Sequence, residues 1–295
     1  MTYLLSICVV LIVPSCLLAL RQRARIQRVA LATALVFISV IGWGWSATVT
    51  AHGWWTFGGQ HITGWRPLPH LLIEEVIFYP AGGALCILLY LAFARRPVRP
   101  RPDIYVVFLI LGTALFATLG LSHAGQRPYY LYSQLIVYNL LVCGMLSPAV
   151  AHRIDLRGFI VTTLLMASVG YIWDHVAFVG TWWEYHAITQ LHLGLVPFDD
   201  VDFFMFAPAA AISVYEFAGT VAVSEATQPN RVQLRAVMGG LIASVQSSQR
   251  GVLKTGHSAR SFVPPIRTRT SVRRRFHALE DSRQPKGPIC DPRPE

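Results

Sequence analysis

Charged residues are scarce in this chain of 295 residues, of which Asp, Glu, Lys and Arg together make up only 14%. A soluble globular domain usually carries about 25% charged residues, so the composition excludes an ordinary soluble domain. Hydrophobic residues make up 54% of the chain, which excludes intrinsic disorder over most of its length. The composition therefore predicts a polytopic membrane protein.

Cysteine and lysine are also limited in ways that exclude whole classes of function. None of the five cysteines forms a CxxC pair, so neither a disulfide framework nor a zinc site is indicated. The only lysines are Lys254 and Lys286, both near the C-terminus. A retinal protein, which holds its chromophore through a lysine of the last helix, is therefore excluded.

The basic excess of the chain is concentrated at its C-terminal end. Residues 225–295 carry a net charge of +8, whereas residues 1–224 carry only +2. We expect residues 225–295 to form a solvated, disordered tail, with weak attraction to anionic lipid as the alternative. No feature of this tail indicates recognition of nucleic-acid bases, so no nucleic-acid partner is expected.

Seven apolar stretches are long enough to cross a bilayer, which takes about 20 residues of helix. They lie at 2–20, 27–47, 71–94, 104–122, 129–151, 156–178 and 201–223. Ten of the twelve basic residues before position 225 fall in the loops after helices 1, 3 and 5. Because basic loops prefer the cytoplasm, we expect the N-terminus outside and the C-terminus inside.

Two segments of the chain resemble each other. Trp45, Trp54, Trp55 and Phe57 match Trp173, Trp182, Trp183 and Tyr185 at a constant separation of 128 residues. An acidic pair followed by an aromatic pair recurs at a separation of 125 residues. The sequence therefore predicts two parallel three-helix repeats, residues 1–94 and 129–224, joined by a connector (95–128) that contains the fourth helix.

The acidic pairs of the repeat are the predicted catalytic residues: Glu74, Glu75, Asp199 and Asp200. Both pairs fall at the starts of helices that follow loops on the same side of the membrane. A carboxyl group that is desolvated beside another carboxyl can stay protonated and act as a general acid. The alternative is that each acid caps its helix. One acid of a pair can also cap while its neighbour faces the interior.

Aromatic residues near the acids are predicted to bind substrate and stabilise a cation. They are Trp45, Trp54, Phe78, Tyr79, Trp173, Trp182, Tyr185, Phe203 and Phe204. Asp174, at the end of helix 6, is expected to orient a neighbour by a hydrogen bond. For Trp55 and Trp183 we favour an interfacial aromatic belt.

The sequence predicts no cofactor and no metal site. Gly42-Trp-Gly44-Trp-Ser-Ala47 has the glycine spacing of a dinucleotide fingerprint but ends an apolar helix without a preceding strand. The histidines are spread along the outer loops. A small transporter stays open as an alternative, and it would require helices broken at the centre of the bilayer.

These paired motifs resemble the membrane-integral lycopene cyclase domain of bacterial heterodimeric and fused cyclases. Trp173-Asp174, Gly194 and Asp199-Asp200 followed by Phe203-Phe204 match the order of its motifs in the second repeat. The first repeat supplies Gly64 and Glu74-Glu75 followed by Phe78-Tyr79, and the resemblance covers residues 1–224. The chain departs from the pattern at Ser46 (an acid is expected), at Pro69 and in the Asp-Asp pair.

The resemblance implies a cofactor-independent isomerase, or intramolecular lyase, that closes the linear ψ-ends of a lycopene-type carotenoid into ionone rings. Glu74 or Glu75 would protonate the terminal double bond, and the aromatic rings would shield the cation. An apolar polyene from the bilayer would be the substrate. The protein would reside in the cell membrane beside lipid and other carotenoid-pathway enzymes. The departures motivate an alternative, a non-catalytic carotenoid- or isoprenoid-binding protein or an accessory subunit.

Overall fold

A computed structural model of the chain describes residues 2–95, 98 and 100–227. Within this part, seven helices are long and apolar enough to cross a membrane. They are α1 (Thr2–Gln22), α2 (Arg28–Ala51), α3 (Ile73–Phe93), α4 (Pro102–Ser122), α5 (Tyr129–Val150), α6 (Leu156–Val179) and α7 (Phe198–Thr227). The predicted number of spans is confirmed. The predicted tail lies outside the described residues from position 228 onward.

Several helix ends differ from the hydropathy-based prediction by one to four residues, and two of these differences have identifiable reasons. Helix α7 begins at Phe198, three residues before its apolar run, because Asp199 and Asp200 occupy its first turn, where acids favour the helix dipole. Helix α2 continues to Ala51, four residues beyond the predicted end, through a Thr-rich turn that hydropathy does not count.

Two of the helices contain a wider, π-helical stretch. It covers Cys8–Ile12 in α1 and Leu135–Gly144 in α5. A π-helical stretch rotates the residues that follow it relative to a regular helix, and such stretches are frequent at functional sites. Helices α1 and α5 occupy the same position in the two predicted repeats.

Helices α3 and α7 form the centre of the bundle. Helix α3 packs against α1, α2, α6 and α7, and α7 packs against α2, α3, α5 and α6. Helix α7 is the most buried of the seven, whereas α1 and α4 are the least. The outer helix faces carry exposed aliphatic side chains, including Leu20, Leu121 and Leu164. An apolar exterior of this extent is what a bilayer requires of the helices that it surrounds.

Short strands, which the sequence did not predict, connect the loops between helices. Strand β1 (Trp55–Phe57) precedes α3 and pairs antiparallel with β2 (Trp183–Tyr185), which follows α6. Strands β3 (His192–Leu193) and β4 (Val196–Pro197) form a hairpin directly before α7. The β1–β2 ribbon therefore links the α2–α3 loop to the α6–α7 loop.

Candidate active site

A cavity of about 110 Å³ lies among the helices beneath the β1–β2 ribbon. A single buried water needs only about 10–15 Å³, so the cavity has room for a group of several heavy atoms. Its wall is mainly apolar and aromatic. On α2 the wall includes Phe37, whose side chain is 43% exposed on the outer surface of the bundle. The cavity wall thus extends to the apolar exterior.

The residues that line this cavity occur in pairs at two fixed separations. Helices α2 and α6 contribute pairs 128 residues apart: Ile38 and Met166, Ile41 and Val169, Trp45 and Trp173. Helices α3 and α7 contribute pairs 125 residues apart: Phe78 and Phe203, Tyr79 and Phe204, Cys86 and Ala211. These are the separations of the sequence repeat, so equivalent positions of the two segments surround one cavity.

Aromatic rings pack face to face along the cavity wall. The Trp45 ring lies 6.0 Å from that of Phe203 with an angle of 8° between the planes, and Phe78 stacks on Phe203 at 6.3 Å. Phe78 also lies 5.7 Å from Trp173. Rings from α2, α3, α6 and α7 therefore form one continuous π-rich surface, which can stabilise a cation.

The β1–β2 ribbon corrects the interpretation of the four loop tryptophans. Trp55 and Trp183 are 5% and 4% exposed and line the cavity, so the prediction of an interfacial belt for them is wrong. Trp54 and Trp182 are absent from the wall and stack instead on Tyr129 and His61. The reason is the side-chain alternation of a strand, which points adjacent residues to opposite sides.

The first acid of each pair fastens the loop that precedes its helix. Glu74 accepts a hydrogen bond from the Thr63 backbone N–H at 2.6 Å. Asp199 accepts one from the Thr189 backbone N–H at 3.2 Å and another from the Thr189 hydroxyl at 2.6 Å. Both acids are buried, and neither lines the cavity. Their hydrogen bonds connect the incoming loop to the first turn of the helix.

The second acid of each pair accepts a hydrogen bond from a tyrosine at the start of another helix. The Tyr3 hydroxyl of α1 donates to Glu75 Oε1, and the Tyr130 hydroxyl of α5 donates to Asp200 Oδ1 at 2.7 Å. The two tyrosines line the cavity. Sequence reasoning missed them, although their separation of 127 residues would have emerged from aligning α1 with α5.

The second acid of each pair has a further neighbour, on α2 in the first half and on α6 in the second. This neighbour differs between the two halves. Glu75 Oε2 accepts a hydrogen bond from the Ser46 hydroxyl at 3.2 Å. At the position 128 residues later stands Asp174, a second carboxyl group next to Asp200. Asp174 and Asp200 line the cavity, whereas Glu75 does not. The carboxyl groups on the cavity wall therefore come from the second half alone.

Aromatic side chains surround this carboxyl pair on the cavity wall. Both residues are buried, and the Oδ2 atom of each makes no hydrogen bond to the described part of the chain. Burial raises the pKa of Tyr185, on strand β2, well above its usual value, and the nearby Asp200 adds to the effect. Tyr185 therefore remains a neutral phenol on the wall beside Asp200.

Two further acids of α7 have other surroundings. Asp202 is fully buried and accepts a hydrogen bond from Asn139 at 3.0 Å, away from the cavity wall. Glu216 pairs with Arg153 at 3.4 Å toward the opposite end of the bundle, as expected for a satisfied structural acid. Neither is a candidate for chemistry in the cavity.

The fold and the cavity together define a class: a multi-pass helical membrane protein with acids and aromatic rings around one apolar site. The family model described as lycopene cyclase matches residues 1–93 and 127–218. The chain therefore belongs to the lycopene cyclase family. No curated protein and no solved structure matches it. The unmatched segment between the two matched ones contains α4.

Proposed function

We propose that this protein is a carotenoid cyclase that converts the linear ψ-end of a lycopene-type polyene into an ionone ring. The observation that carries this proposal is the Asp174–Asp200 carboxyl pair on the wall of an otherwise apolar, aromatic cavity. A polyene end group has no polar atom, so an apolar cavity suits it. Its terminal double bond needs only a proton to become reactive.

The reaction balances without an oxidant or a cofactor. A carboxylic acid adds its proton to C2 of the terminal C1=C2 bond, which leaves the positive charge on C1. The electron pair of C5=C6 then forms the C1–C6 bond, and the charge moves to C5. Loss of a proton from C6 gives a β-ring and loss from C4 an ε-ring. The proton returns to a carboxylate or a water, so the reaction is an isomerisation.

Of the four predicted catalytic acids, Asp200 is the one on the cavity wall, and we assign it the role of proton donor. Its neighbour Asp174 lies beside it in the same buried site, where two adjacent carboxylate charges repel each other, so the pair shares one proton. Tyr130 is a positioning residue that fixes the Asp200 carboxyl through Oδ1. This leaves Oδ2 available for the proton that is transferred.

The first half of the cavity has a supporting role in this proposal. Glu75 holds Tyr3 and Ser46 and is a positioning residue for the wall. Glu74 and Asp199 keep the loops in place. Trp45, Phe78, Trp173 and Phe203 present their π faces to the cation that moves from C1 to C5. Trp54 and Trp182, away from the wall, support the ribbon from its other side.

The polyene would enter from the bilayer, where the cavity wall reaches the surface at Phe37.

The proposed architecture is two parallel three-helix repeats with α4 as connector, the N-terminus outside, in the cell membrane. Equivalent backbone hydrogen bonds support the repeat. Gly58 donates to the Trp182 carbonyl and His186 to the Trp54 carbonyl, each at 2.7 Å. Contact with other carotenoid-pathway enzymes would deliver the substrate.

The proposal is tested by expressing the chain in cells that accumulate lycopene. Cyclisation shortens the conjugated system, so the red pigment should turn yellow-orange, and chromatography should identify the ring product. Asp200→Asn should lower the rate of ring formation by about 10²- to 10⁴-fold, the usual contribution of a general acid. Asp202→Asn, the same substitution two residues further along α7, is the matched control and should retain activity.

Two results would contradict the assignment. Red cells that contain the protein in their membranes would favour the alternative, a non-catalytic carotenoid-binding protein or accessory subunit. Full activity of the Asp200→Asn variant would remove that residue from the role of donor. Glu75→Gln would then be the next substitution to measure.

A further inference from the structure

A second cavity, of about 400 Å³, lies at the opposite end of the bundle from the acid pairs. Three loops and two helices build it: the α1–α2 loop, the α3–α4 loop, the α5–α6 loop, the end of α3 and the second half of α7. These are the loops that contain most of the basic residues of the first 224 positions. None of the residues around this cavity takes part in the proposed reaction.

The charges around this cavity are predominantly positive. Within the part of the three loops that the structure describes, the lining includes the guanidinium groups of Arg25, Arg95 and Arg153 and the imidazole of His152. The one carboxylate among the described lining residues is Glu216, which pairs with Arg153 at 3.4 Å. Among the described residues that line the cavity, guanidinium groups therefore outnumber carboxylates by three to one.

Hydrogen bonds between the loops fix the shape of this cavity. Arg25 donates from Nη2 to the Ala94 carbonyl oxygen at 2.8 Å, which connects the first loop to the second. The Gln27 backbone N–H donates to the Tyr215 hydroxyl at 3.2 Å, which connects the first loop to α7. The wall is therefore preformed, and preformed sites bind with a smaller entropic cost.

Guanidinium groups that converge from several directions are suited to a tetrahedral oxyanion. The planar fork of arginine binds phosphate oxygens in pairs, which lysine cannot do, and all twelve basic residues before position 225 are arginines. At the edge of a bilayer, the anions present at high local concentration are the phosphates of anionic lipids. A basic pocket between membrane-spanning helices fits such a group.

We propose that this cavity is a binding site for a phosphate group, held by Arg25, Arg95 and Arg153 with His152 at the rim. The group is either the headgroup of an anionic lipid or a soluble phosphate. Bound there, it joins three loops and α7 and stabilises that end of the bundle. The proposal is independent of the cyclase reaction.

The test uses the full chain, purified in neutral detergent, and measures its thermal unfolding midpoint with three added probes: phosphatidylglycerol, phosphatidylcholine and inorganic phosphate. A ligand that binds only the folded state raises the midpoint as its concentration increases. A rise with phosphatidylglycerol alone identifies a lipid headgroup, and a rise with inorganic phosphate identifies a site open to soluble anions. If neither probe exceeds phosphatidylcholine in its effect, the proposal is overturned.

Substitutions at the rim test whether this cavity is the site. Arg95 and His152 are exposed, so Arg95→Gln with His152→Gln should leave the bundle folded while weakening phosphate binding at least about tenfold. Arg95→Lys, which keeps the charge but loses the fork, should give an intermediate affinity. Arg66→Gln, at the other end of the bundle, is the matched control. An equal loss with Arg66→Gln, or none with the double variant, would show that the cavity is not the site.

Discussion

At the scale of single residues, one position separates the two halves of the cavity. Ser46 and Asp174 are equivalent in the repeat, and each lies next to the second acid of a pair. A hydroxyl group that donates a hydrogen bond, as Ser46 does to Glu75, stabilises the carboxylate beside it. A second carboxyl group instead favours a shared proton, because two adjacent anions are unfavourable in a buried site. The two halves therefore differ in whether a hydroxyl or a carboxyl group lies next to the second acid.

This difference predicts that Asp174 and Asp200 act as one unit. Asp174→Ser, which makes the second half resemble the first, should lower the rate of ring formation at least about tenfold, because the carboxyl that shares the proton with Asp200 is then lost. Groups that share one proton are coupled. The double variant Asp174→Ser/Asp200→Asn should therefore be no slower than Asp200→Asn alone, as measured by chromatography of the carotenoids.

The matched control is Ser46→Ala, the equivalent position in the first half. It should leave the rate close to that of the unaltered chain, because Ser46 does not line the cavity. If the losses from the two aspartate substitutions simply multiply in the double variant, the carboxyls work independently and the shared-proton account is wrong.

Site residues in long helices could be predicted from the sequence, whereas those in short strands or with partners far away in the chain could not. The acid and aromatic pairs of α3 and α7 were identifiable because they recur at one separation within helices. Trp55 and Trp183 were misassigned because a three-residue strand leaves no periodic signal, and the strand decides which of two adjacent rings points inward. Tyr3 and Tyr130 were missed because each acts on an acid about 70 positions away in the chain.

At the scale of helices, glycines on α2 and α6 allow aromatic rings of α3 and α7 to approach closely. A Cβ atom on Gly42 would lie 2.1 Å from the Tyr79 ring, and one on Gly170 would lie 2.4 Å from the Phe204 ring. The two glycines are 128 residues apart, and the two rings are 125 apart. The glycine pattern at positions 42 and 44, rejected as a dinucleotide fingerprint, thus has a packing reason at Gly42.

The close approach predicts opposite effects of alanine at two neighbouring positions. Gly42→Ala should destabilise the protein by about 1–3 kcal/mol, the usual cost of overpacking a core. It should also slow cyclisation, because Tyr79 lines the cavity. Gly44→Ala, on the same helix with open space around it, should be neutral or slightly stabilising, since alanine favours helix. Thermal unfolding midpoints in detergent measure both effects.

Gly170→Ala extends the same test to the other half and should resemble Gly42→Ala rather than Gly44→Ala. Equal midpoints for Gly42→Ala and Gly44→Ala would mean that the Tyr79 ring moves aside at no cost. The close approach would then not be a constraint on the fold.

At the scale of the whole molecule, the number of helices could be predicted because each apolar run is long enough to span a bilayer. The way in which the halves join could not. The β1–β2 ribbon consists of two three-residue strands 128 positions apart, and hydropathy carries no information on such a pairing. Within each half, a backbone hydrogen bond also connects the first helix to the loop that carries the strand. Tyr3 donates its backbone N–H to His61 in the first half, and Tyr130 donates to Ala187 in the second.

This arrangement predicts that the chain can be divided without loss of function. Fragments 1–126 and 127–295, the second with an added initiator methionine, should each fail to turn lycopene-accumulating cells yellow, because the cavity wall and the ribbon need both halves. Co-expression should restore the colour, because the two halves interact through α2 with α7, through α3 with α6 and α7, and through β1 with β2. Colour from one fragment alone would refute a shared cavity. Red cells with both fragments in the membrane would show that the connection through α4 is needed to align them.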